Sequence, residues 1–173
     1  KSRALESANN GIIITDALQY DNPVIYVNTA FQNITGYKSE EVLNRNCRFL
    51  YGTDKDQESL KTLKSAIEKG ESCRVILRNN KKDGTLFWNE LYIMPITNSE
   101  GLVTNFIGIQ EDNTDKIVRY LDTIQNKYKM STTFLVSEKT MNYYTTKGLI
   151  EKVKQHQNIK LIANPSEQEM KNL

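Results

Sequence analysis

The most informative part of the sequence lies at residues 44–52, which read Asn44-Arg45-Asn46-Cys47-Arg48-Phe49-Leu50-Tyr51-Gly52. One of the two cysteines of the chain stands here between an amide and a guanidinium side chain, and an apolar pair follows. The other cysteine, Cys73, lies in a strand-like segment, where we expect it to be a small buried core residue. What Cys47 does depends on the elements that surround it in the fold.

Two β-rich runs precede this stretch. Residues 12–15 are Ile-Ile-Ile-Thr and residues 24–27 are Val-Ile-Tyr-Val, with polar turn residues between them. This pattern predicts a hairpin of two strands. The sequence also predicts short helices at residues 2–9, 28–35 and 39–43, and Ser39 is placed to cap the last of them.

The segment that follows begins with the clearest helix of the sequence, residues 54–69. Its apolar side chains form one stripe and Gly70 ends it. The stripe consists of Leu60, Leu63, Ala66 and Ile67. Strand-like segments follow at residues 72–78, 87–96 and 103–111. Consecutive segments are separated by a polar turn that ends in a glycine able to take a positive φ.

This order of elements predicts an α+β fold with one five-stranded antiparallel sheet and helices packed on one of its faces. A sheet with one covered face leaves a cleft between the sheet and the helices, where a flat ligand could lie. We place this domain at residues 5–113, a linker helix at 114–130 and a further extension at 131–173.

The pattern of the last third of the chain differs from that of the domain. Apolar residues fall on one face of the linker helix at Ile117, Leu121, Ile124 and Tyr128. Strand-like segments at 133–136 and 159–162 then flank a helix-like stretch at 139–156. This predicts either a β-α-β unit with a truncated end or a fragment of an effector.

Composition and charge exclude several classes of function. Hydrophobic residues make up 38% and charged residues 25% of the 173-residue chain, as in a soluble globular protein. The net charge of +2 is too small to argue for nucleic acid or an anionic membrane surface. No apolar run approaches the ~20 residues needed to cross a bilayer, and the first residues lack a secretory signal. We therefore expect a cytoplasmic protein that binds neither membrane nor nucleic acid.

Histidine and cysteine counts argue against an enzyme. The only histidine, His156, lies in a polar setting, and a Ser-His-Asp or Cys-His centre would have to use it. Two cysteines and one histidine, widely spaced, do not make a zinc site. The sequence also lacks a glycine-rich phosphate loop. We expect no metal site, and no enzymatic activity is recognisable in this chain.

Residues 46–50 resemble the motif of LOV (light-oxygen-voltage) domains, the blue-light photoreceptors of the PAS superfamily, which reads Gly-x-Asn-Cys-Arg-Phe-Leu-Gln. Further segments follow the family pattern in register, at residues 14–16, 22–23, 87–89 and 106–110. The resemblance covers residues 5–115. It implies a PAS fold that holds a flavin and, in blue light, a reversible bond from Cys47 to flavin carbon C4a.

The resemblance assigns polar residues to parts of the flavin. Asn79 and Asn89, ten residues apart, would bind the pyrimidine edge of the ring together with Asn46, because amides both donate and accept. Arg48 and Lys64 would lie near a ribityl phosphate.

Gln110 lies on the last predicted strand, close to the linker helix. Its amide can donate to or accept from flavin N5, so a flip would pass the signal to a helix at residues 114–128. The predicted flavin-binding set is Thr15, Asn22, Asn46, Cys47, Arg48, Leu50, Lys64, Asn79, Asn89, Leu91 and Gln110. Further candidate wall residues are Ile13, Val24, Leu63 and Ile93.

Three positions depart from the family pattern. Lys64 stands where the family often has a second arginine, and a lysine offers a charge without a bidentate fork. Asn44 replaces the glycine of the motif, and asparagine tolerates a tight turn better than most residues. Tyr51 replaces the glutamine, which alters the contact near the cofactor tail.

We prefer FMN to FAD, because no inserted loop beside the longer helix could hold an adenine. The expected partners, besides the flavin, are a second copy of the chain or an attached output domain. Residues 136–144 and 148–150 resemble the recognition-helix region of MerR-type repressors, but the preceding helix of that motif is missing, so an incomplete α/β effector is preferred.

The sequence leaves three alternative functions. They are a light-insensitive PAS module that binds a metabolite or haem, a dimerisation domain and a flavoenzyme. Haem would need an axial histidine in the domain, and the only histidine lies outside it. A flavoenzyme would need a nicotinamide fingerprint or an acid–base pair, and the sequence shows neither.

Overall fold

The computed structural model describes residues 3–117, 119, 132–136 and 159–163. The chain divides into two units, of which the first ends at Asn113 and the second begins at Thr114. The elements of the first unit are α1 (Arg3–Glu6), β1 (Gly11–Asp16), β2 (Val24–Val27), α2 (Thr29–Thr35), α3 (Ser39–Val42), a 3₁₀ helix (Cys47–Tyr51), α4 (Glu58–Lys69), β3 (Cys73–Asn80), β4 (Leu86–Thr97) and β5 (Val103–Asp112).

The strands of the first unit form one five-stranded sheet in the order β2-β1-β5-β4-β3, and every neighbouring pair is antiparallel. The helices pack on one face of this sheet through two apolar clusters. Leu63 and Ala66 of α4 pack on β3, β4 and β5, whereas Phe31, Val42 and Leu50 pack around β1 and β2. The α+β architecture predicted from the sequence is confirmed.

The register of the sheet sets which side chains share the helix-covered face. Gln110 of β5 lies opposite Gly11 of β1 on one side and Leu91 of β4 on the other. Leu77 of β3 lies opposite Asn89 of β4. Since side chains alternate along a strand, Asn89, Leu91 and Gln110 point to the same face.

The predicted turns are confirmed. Gly84 and Gly101 close the two turns between β3, β4 and β5 with φ values of 87° and 81°. Asn44, at the glycine position of the motif, takes a φ of 62°, which asparagine adopts more readily than most residues. The chain therefore keeps the tight turn that leads into the 3₁₀ helix without the glycine.

The prediction that Ser39 caps α3 is wrong. The helix begins at Ser39, and the preceding residue, Lys38, holds the N-cap position. The carboxylate of Glu41 accepts a hydrogen bond from the backbone N–H of Lys38 at 2.9 Å. This reciprocal contact pulls the helix start one residue towards the N-terminus.

Helix α4 begins at Glu58, four residues later than expected. The residues before it bind Arg78 on β3, the strand at the edge of the sheet. Asp54 accepts hydrogen bonds from the guanidinium of Arg78 at 2.6 and 3.0 Å, and the Gln57 amide bonds the backbone of Arg78 at 2.7 and 2.9 Å. These tertiary bonds hold the segment in a non-helical form that local helix propensity does not predict.

In the second unit, residues 114–117 and 119 are helical, and β6 (Thr132–Val136) pairs in parallel with β7 (Ile159–Ala163). The rest of the predicted linker helix, the helix-like stretch at 139–156 and His156 lie outside the described residues. The division into linker and extension therefore stays a prediction. Within the described ranges, none of the helices has the length and apolar character needed to span a bilayer.

Asn28, fully buried before α2, joins the N-terminal segment to the sheet and the helix. Its Oδ1 accepts hydrogen bonds from the backbone N–H groups of Ile12 and Phe31 at 2.8 and 2.9 Å. Its Nδ2 donates to the carbonyls of Leu5 and Asn10 at 2.9 and 3.0 Å. One amide thus satisfies backbone groups from three segments.

We expect Asn28→Ala to lower the free energy of unfolding by about 3 kcal/mol, because it removes a helix cap and leaves buried backbone groups without partners. Urea unfolding followed by the fluorescence of Trp88, the only tryptophan, measures this for the first unit. Asn33→Ala, at an exposed position of the same helix, is the control and should cost less than about 0.5 kcal/mol. Equal losses in the two variants would contradict the assignment.

Candidate functional site

A cleft lies between the helix-covered face of the sheet and the segments that carry the 3₁₀ helix and α4. Its empty volume is about 670 Å³, which includes the opening to solvent. It is lined by Ile13, Thr15, Asn22, Asn46, Cys47, Leu50, Tyr51, Leu63, Ile67, Leu77, Asn79, Asn89, Leu91, Ile93, Phe106, Gly108 and Gln110. The lining is largely apolar with a few amides and one thiol, as a small-molecule site requires.

The structure brings the predicted site residues together around this cleft. Every residue of the predicted flavin-binding set lines the cleft except Arg48 and Lys64. These two residues line the mouth of the cleft. Among the further wall candidates, Ile13, Leu63 and Ile93 belong to the lining. Val24 does not, because its side chain packs away from the cleft against Phe31 and Val42. The roles of these residues stay predictions.

Sequence reasoning missed several lining residues. Leu77 lies two positions before Asn79, and Phe106 and Gly108 lie four and two positions before Gln110. The period-2 alternation of a strand would have identified all three from the two polar residues.

Gly108 brings the sheet close to the ligand space. A Cβ at this position would lie 2.8 Å from Ile13 Cγ2 and 3.3 Å from Leu91 Cδ1. A side chain does not fit there without displacing both neighbours. Glycine therefore keeps the centre of the cleft floor flat.

Buried amides form the polar end of the cleft. Asn89 Nδ2 donates to Asn79 Oδ1 at 2.8 Å, and Asn79 Nδ2 donates to the carbonyl of Arg78 at 3.1 Å. Asn89 is 1% exposed and Gln110 is 2% exposed, yet Asn89 Oδ1 and Gln110 Oε1 have no hydrogen-bond partner among the described residues. A buried polar atom in this state costs about 1–3 kcal/mol. The two oxygens therefore identify where a donor group of a ligand belongs.

Cys47 is placed by the start of the 3₁₀ helix. Asn46 caps this helix, since its Oδ1 accepts a hydrogen bond from the backbone N–H of Arg48 at 3.0 Å. The Cys47 thiol packs beside Leu50 in the apolar cluster and lines the cleft. Burial raises the pKa of this thiol to about 12. The group is a neutral thiol over the physiological pH range.

The mouth of the cleft carries charged groups. It is lined by Asn22, Asn46, Arg48, Tyr51, Leu60, Leu63, Lys64, Ile67 and Glu68, several of which also line the interior. Arg48 forms a bidentate ion pair with Asp21 at 2.6 Å for both N–O contacts. Lys64 Nζ lies 3.8 Å from Glu68 Oε1. Burial raises the pKa of Tyr51 to about 12, so its phenol adds no charge.

Cys73 is only half-buried at the margin of the apolar cluster under α4, short of the buried position expected from the sequence, and it does not line the cleft. Over the described ranges, no group of three or more histidine, cysteine, aspartate or glutamate side chains is arranged to hold a metal ion.

A family model described as a PAS domain matches residues 9–115. A blue-light photoreceptor of Listeria monocytogenes is 48% identical over 112 residues, which cover 65% of this chain and 44% of that protein. The chain therefore matches less than half of the length of this relative.

Solved structures of light-oxygen-voltage proteins are also similar to this chain. An RNA-binding light-oxygen-voltage receptor superposes with a TM-score of 0.64 at 40% identity, covering 66% of this chain and 33% of the other. A light-oxygen-voltage domain studied with a flavin analogue superposes with a TM-score of 0.63 at 37% identity, covering 72% of this chain and 93% of the other.

The raised pKa of Cys47 predicts slow alkylation. In the ligand-free Cys73→Ala protein, where Cys47 is the only thiol, iodoacetamide at pH 8 should react about a thousandfold more slowly than in urea. The factor follows from a thiol pKa of about 12 in the fold against 9.0 in the unfolded chain, because the thiolate is the nucleophile. Below pH 9 the Cys47 thiol is mostly protonated in both the folded and the unfolded chain. Between pH 9 and about 12 it ionises only in the unfolded chain.

Mass spectrometry of the time course measures this difference. Cys47→Ala, whose only thiol is Cys73, gives the rate for a cysteine outside the cleft. A native rate at Cys47 equal to its rate in urea would show that the thiol is not held protonated by burial.

Proposed function

The chain belongs to the LOV group of the PAS domain family, and we propose that it is a blue-light sensor module that binds FMN in the cleft. In this proposal Cys47 bonds reversibly to the flavin in light, and the C-terminal segment carries the signal to an output. One observation carries the proposal. Two buried amide oxygens of the cleft, Asn89 Oδ1 and Gln110 Oε1, lack hydrogen-bond partners among the described residues, and the thiol of Cys47 lines the same cleft.

The residues of the cleft fit an isoalloxazine ring. Such a ring is planar with apolar faces, and its pyrimidine edge carries N–H and carbonyl groups. Ile13, Leu91 and the flat floor at Gly108 suit the faces of the ring. Asn89 and Gln110 suit the edge, because their unpartnered oxygens require donors in a buried setting.

Cys47 would supply the reacting sulfur. When bound, a flavin absorbs blue light and offers a ring carbon to which sulfur can add. Cys47 keeps its proton at Sγ in the dark, since burial holds the pKa at about 12. Cys47 would supply both the sulfur that adds to this carbon and the proton that the neighbouring ring nitrogen accepts, and reversal would restore the thiol. The position of the thiol, and not a lowered pKa, governs such a step.

The mouth suits the polar tail of FMN. Arg48 and Lys64 line it and are exposed, so their N–H groups can reach a tail that leaves the cleft. The segments on either side of α4 are short, and no insertion near it offers a pocket for the adenine of FAD. FMN is therefore the preferred flavin.

Gln110 would relay the change to the output. It lies on β5 beside Leu91 and only a few residues before the helical residues 114–117. Its side-chain amide can exchange donor for acceptor by rotation. A change at the flavin ring nitrogen would therefore alter a hydrogen bond at the end of the last strand.

The output would be a second copy of the chain or an attached domain, and the module itself would not be an enzyme. We place it in the cytoplasm. One of the similar structures is of an RNA-binding receptor, so the expectation that nucleic acid is not a partner stays a prediction for this chain.

Cys47→Ala should keep the yellow colour of bound flavin, increase its fluorescence and abolish bleaching in blue light, because the only sulfur in the cleft lining is removed. Absorption spectra in the dark and after illumination measure this. Cys73→Ala, which removes the thiol outside the cleft, is the matched control and should bleach like the unaltered protein. Visible bands of the unaltered protein that do not change in light would favour a light-insensitive PAS module for ligand binding or dimerisation.

Gln110→Leu should bleach normally but lose the light-induced change in the segment at 114–128, for which the sequence predicts a helix, because leucine cannot exchange donor for acceptor. Hydrogen exchange of that segment, dark against illuminated, measures the effect. Gln19→Leu, at an exposed position that does not line the cleft, is the control. An unchanged response in Gln110→Leu would refute the proposed relay.

A further inference from the structure

Tyr51 stands between the interior of the cleft and its mouth. Cys47 lines the interior and not the mouth, and the mouth is open, with an empty volume of about 810 Å³ that includes solvent. The residues that line both spaces are Asn22, Asn46, Tyr51, Leu63 and Ile67. A small molecule that moves from the mouth to the thiol therefore passes these side chains, of which the Tyr51 ring is the largest.

The backbone fixes the place from which the Tyr51 side chain starts. Tyr51 is the last residue of the 3₁₀ helix that begins at Cys47. Its carbonyl accepts a hydrogen bond from the N–H of Asp54 at 3.0 Å. Gly52 follows with a φ of 54°, and a Cβ at Gly52 would lie 2.6 Å from Asn80 Nδ2. The end of the helix is therefore held by its neighbours.

The Tyr51 side chain is held through its ring. It is partly buried and packs against the apolar cluster under α4 that includes Leu63. Burial raises the pKa of Tyr51 to about 12, and the second cause is electrostatic, from the nearby Cys47. The phenol hydroxyl makes no hydrogen bond to a described residue. Apolar packing, and not the hydroxyl, therefore keeps the ring near the thiol.

Water that reaches this part of the cleft would speed the reversal of the proposed bond. Reversal returns the bonding electron pair to Sγ of Cys47, and one proton passes from the neighbouring ring nitrogen to Sγ. Water or a small base beside the nitrogen can accept that proton and return one to the sulfur, which makes the transfer faster. An apolar ring that excludes water makes the same transfer slower.

From these contacts we infer that Tyr51 limits the access of solvent from the mouth to Cys47 and thereby lengthens the lifetime of the light-induced bond. The bulk of the ring provides this barrier, and the hydroxyl does not. The LOV motif has a glutamine at this position, which is shorter and polar, so the barrier is a property of this chain. The inference rests on the proposed function of the cleft.

Alkylation of Cys47 tests the barrier without a flavin. In the flavin-free Cys73→Ala protein at pH 8, Tyr51→Gln should raise the rate of reaction with iodoacetamide about tenfold, because a better hydrated thiol has a lower pKa and a larger thiolate fraction. Tyr51→Phe keeps the ring and should change the rate by less than about twofold. Val103→Ala, which removes packing from the same cluster but lines neither the interior nor the mouth, is the control and should leave the rate unchanged.

Dark recovery of the visible absorption tests the lifetime in the flavin-loaded protein. After blue light, Tyr51→Gln should recover about tenfold faster than the unaltered protein, and added imidazole, a small base, should accelerate the variant more. Tyr51→Phe and Val103→Ala should recover like the unaltered protein. Because glutamine is the residue of the LOV motif at this position, Tyr51→Gln should keep the fold.

An unchanged alkylation rate in Tyr51→Gln would overturn this inference, and so would an unchanged recovery rate. A Tyr51→Phe protein that behaves like Tyr51→Gln would overturn it too, since the hydroxyl and not the ring would then be responsible. An unaltered protein that does not bleach in blue light would overturn the proposed function and with it the effect on the lifetime, while the alkylation rates still decide whether Tyr51 shields the thiol.

Discussion

Two buried amide oxygens without partners among the described residues place the strongest constraint on the cleft. Asn89 Oδ1 and Gln110 Oε1 lie among apolar side chains, and each such atom costs about 1–3 kcal/mol until it accepts a hydrogen bond. The strands cannot relieve this cost, because Gln110 is paired directly with Leu91 and a slip of one residue would turn every inward side chain outward. A ligand with polar groups along one edge and apolar faces satisfies the oxygens without disturbing the sheet.

Much of the fold and of the cleft could be predicted because the signals are local. Turns that end in glycine separate β3, β4 and β5 in the sequence itself, and the structure confirms them at Gly84 and Gly101. Alternation along those strands then places Asn79, Asn89 and Gln110 on one face, where the cleft is found. The same rule, applied further, would have reached the neighbouring lining residues.

What the sequence did not predict depends on residues far apart along the chain. Arg78 holds Asp54, 24 residues away, in a non-helical segment, so α4 begins later than its helix propensity suggests. Val24 has the composition of a wall residue but packs against α2 and α3, which only the assembled core determines. The partner of Arg48 lies 27 residues before it, and no local pattern reports such a pairing.

One amide, that of Asn46, organises both the interior of the cleft and its mouth. Asn46 starts the 3₁₀ helix that places Cys47 in the apolar lining, where the thiol stays protonated, and the same amide ties the Asp21 turn to Arg48. Inside the cleft, contacts with a ligand are hydrogen bonds and apolar contacts, which act over short distances. Short-range contacts change sharply when one atom moves by a bond length. In the proposed function, a new bond at Cys47 would change a hydrogen bond at Gln110, which lines the same cleft.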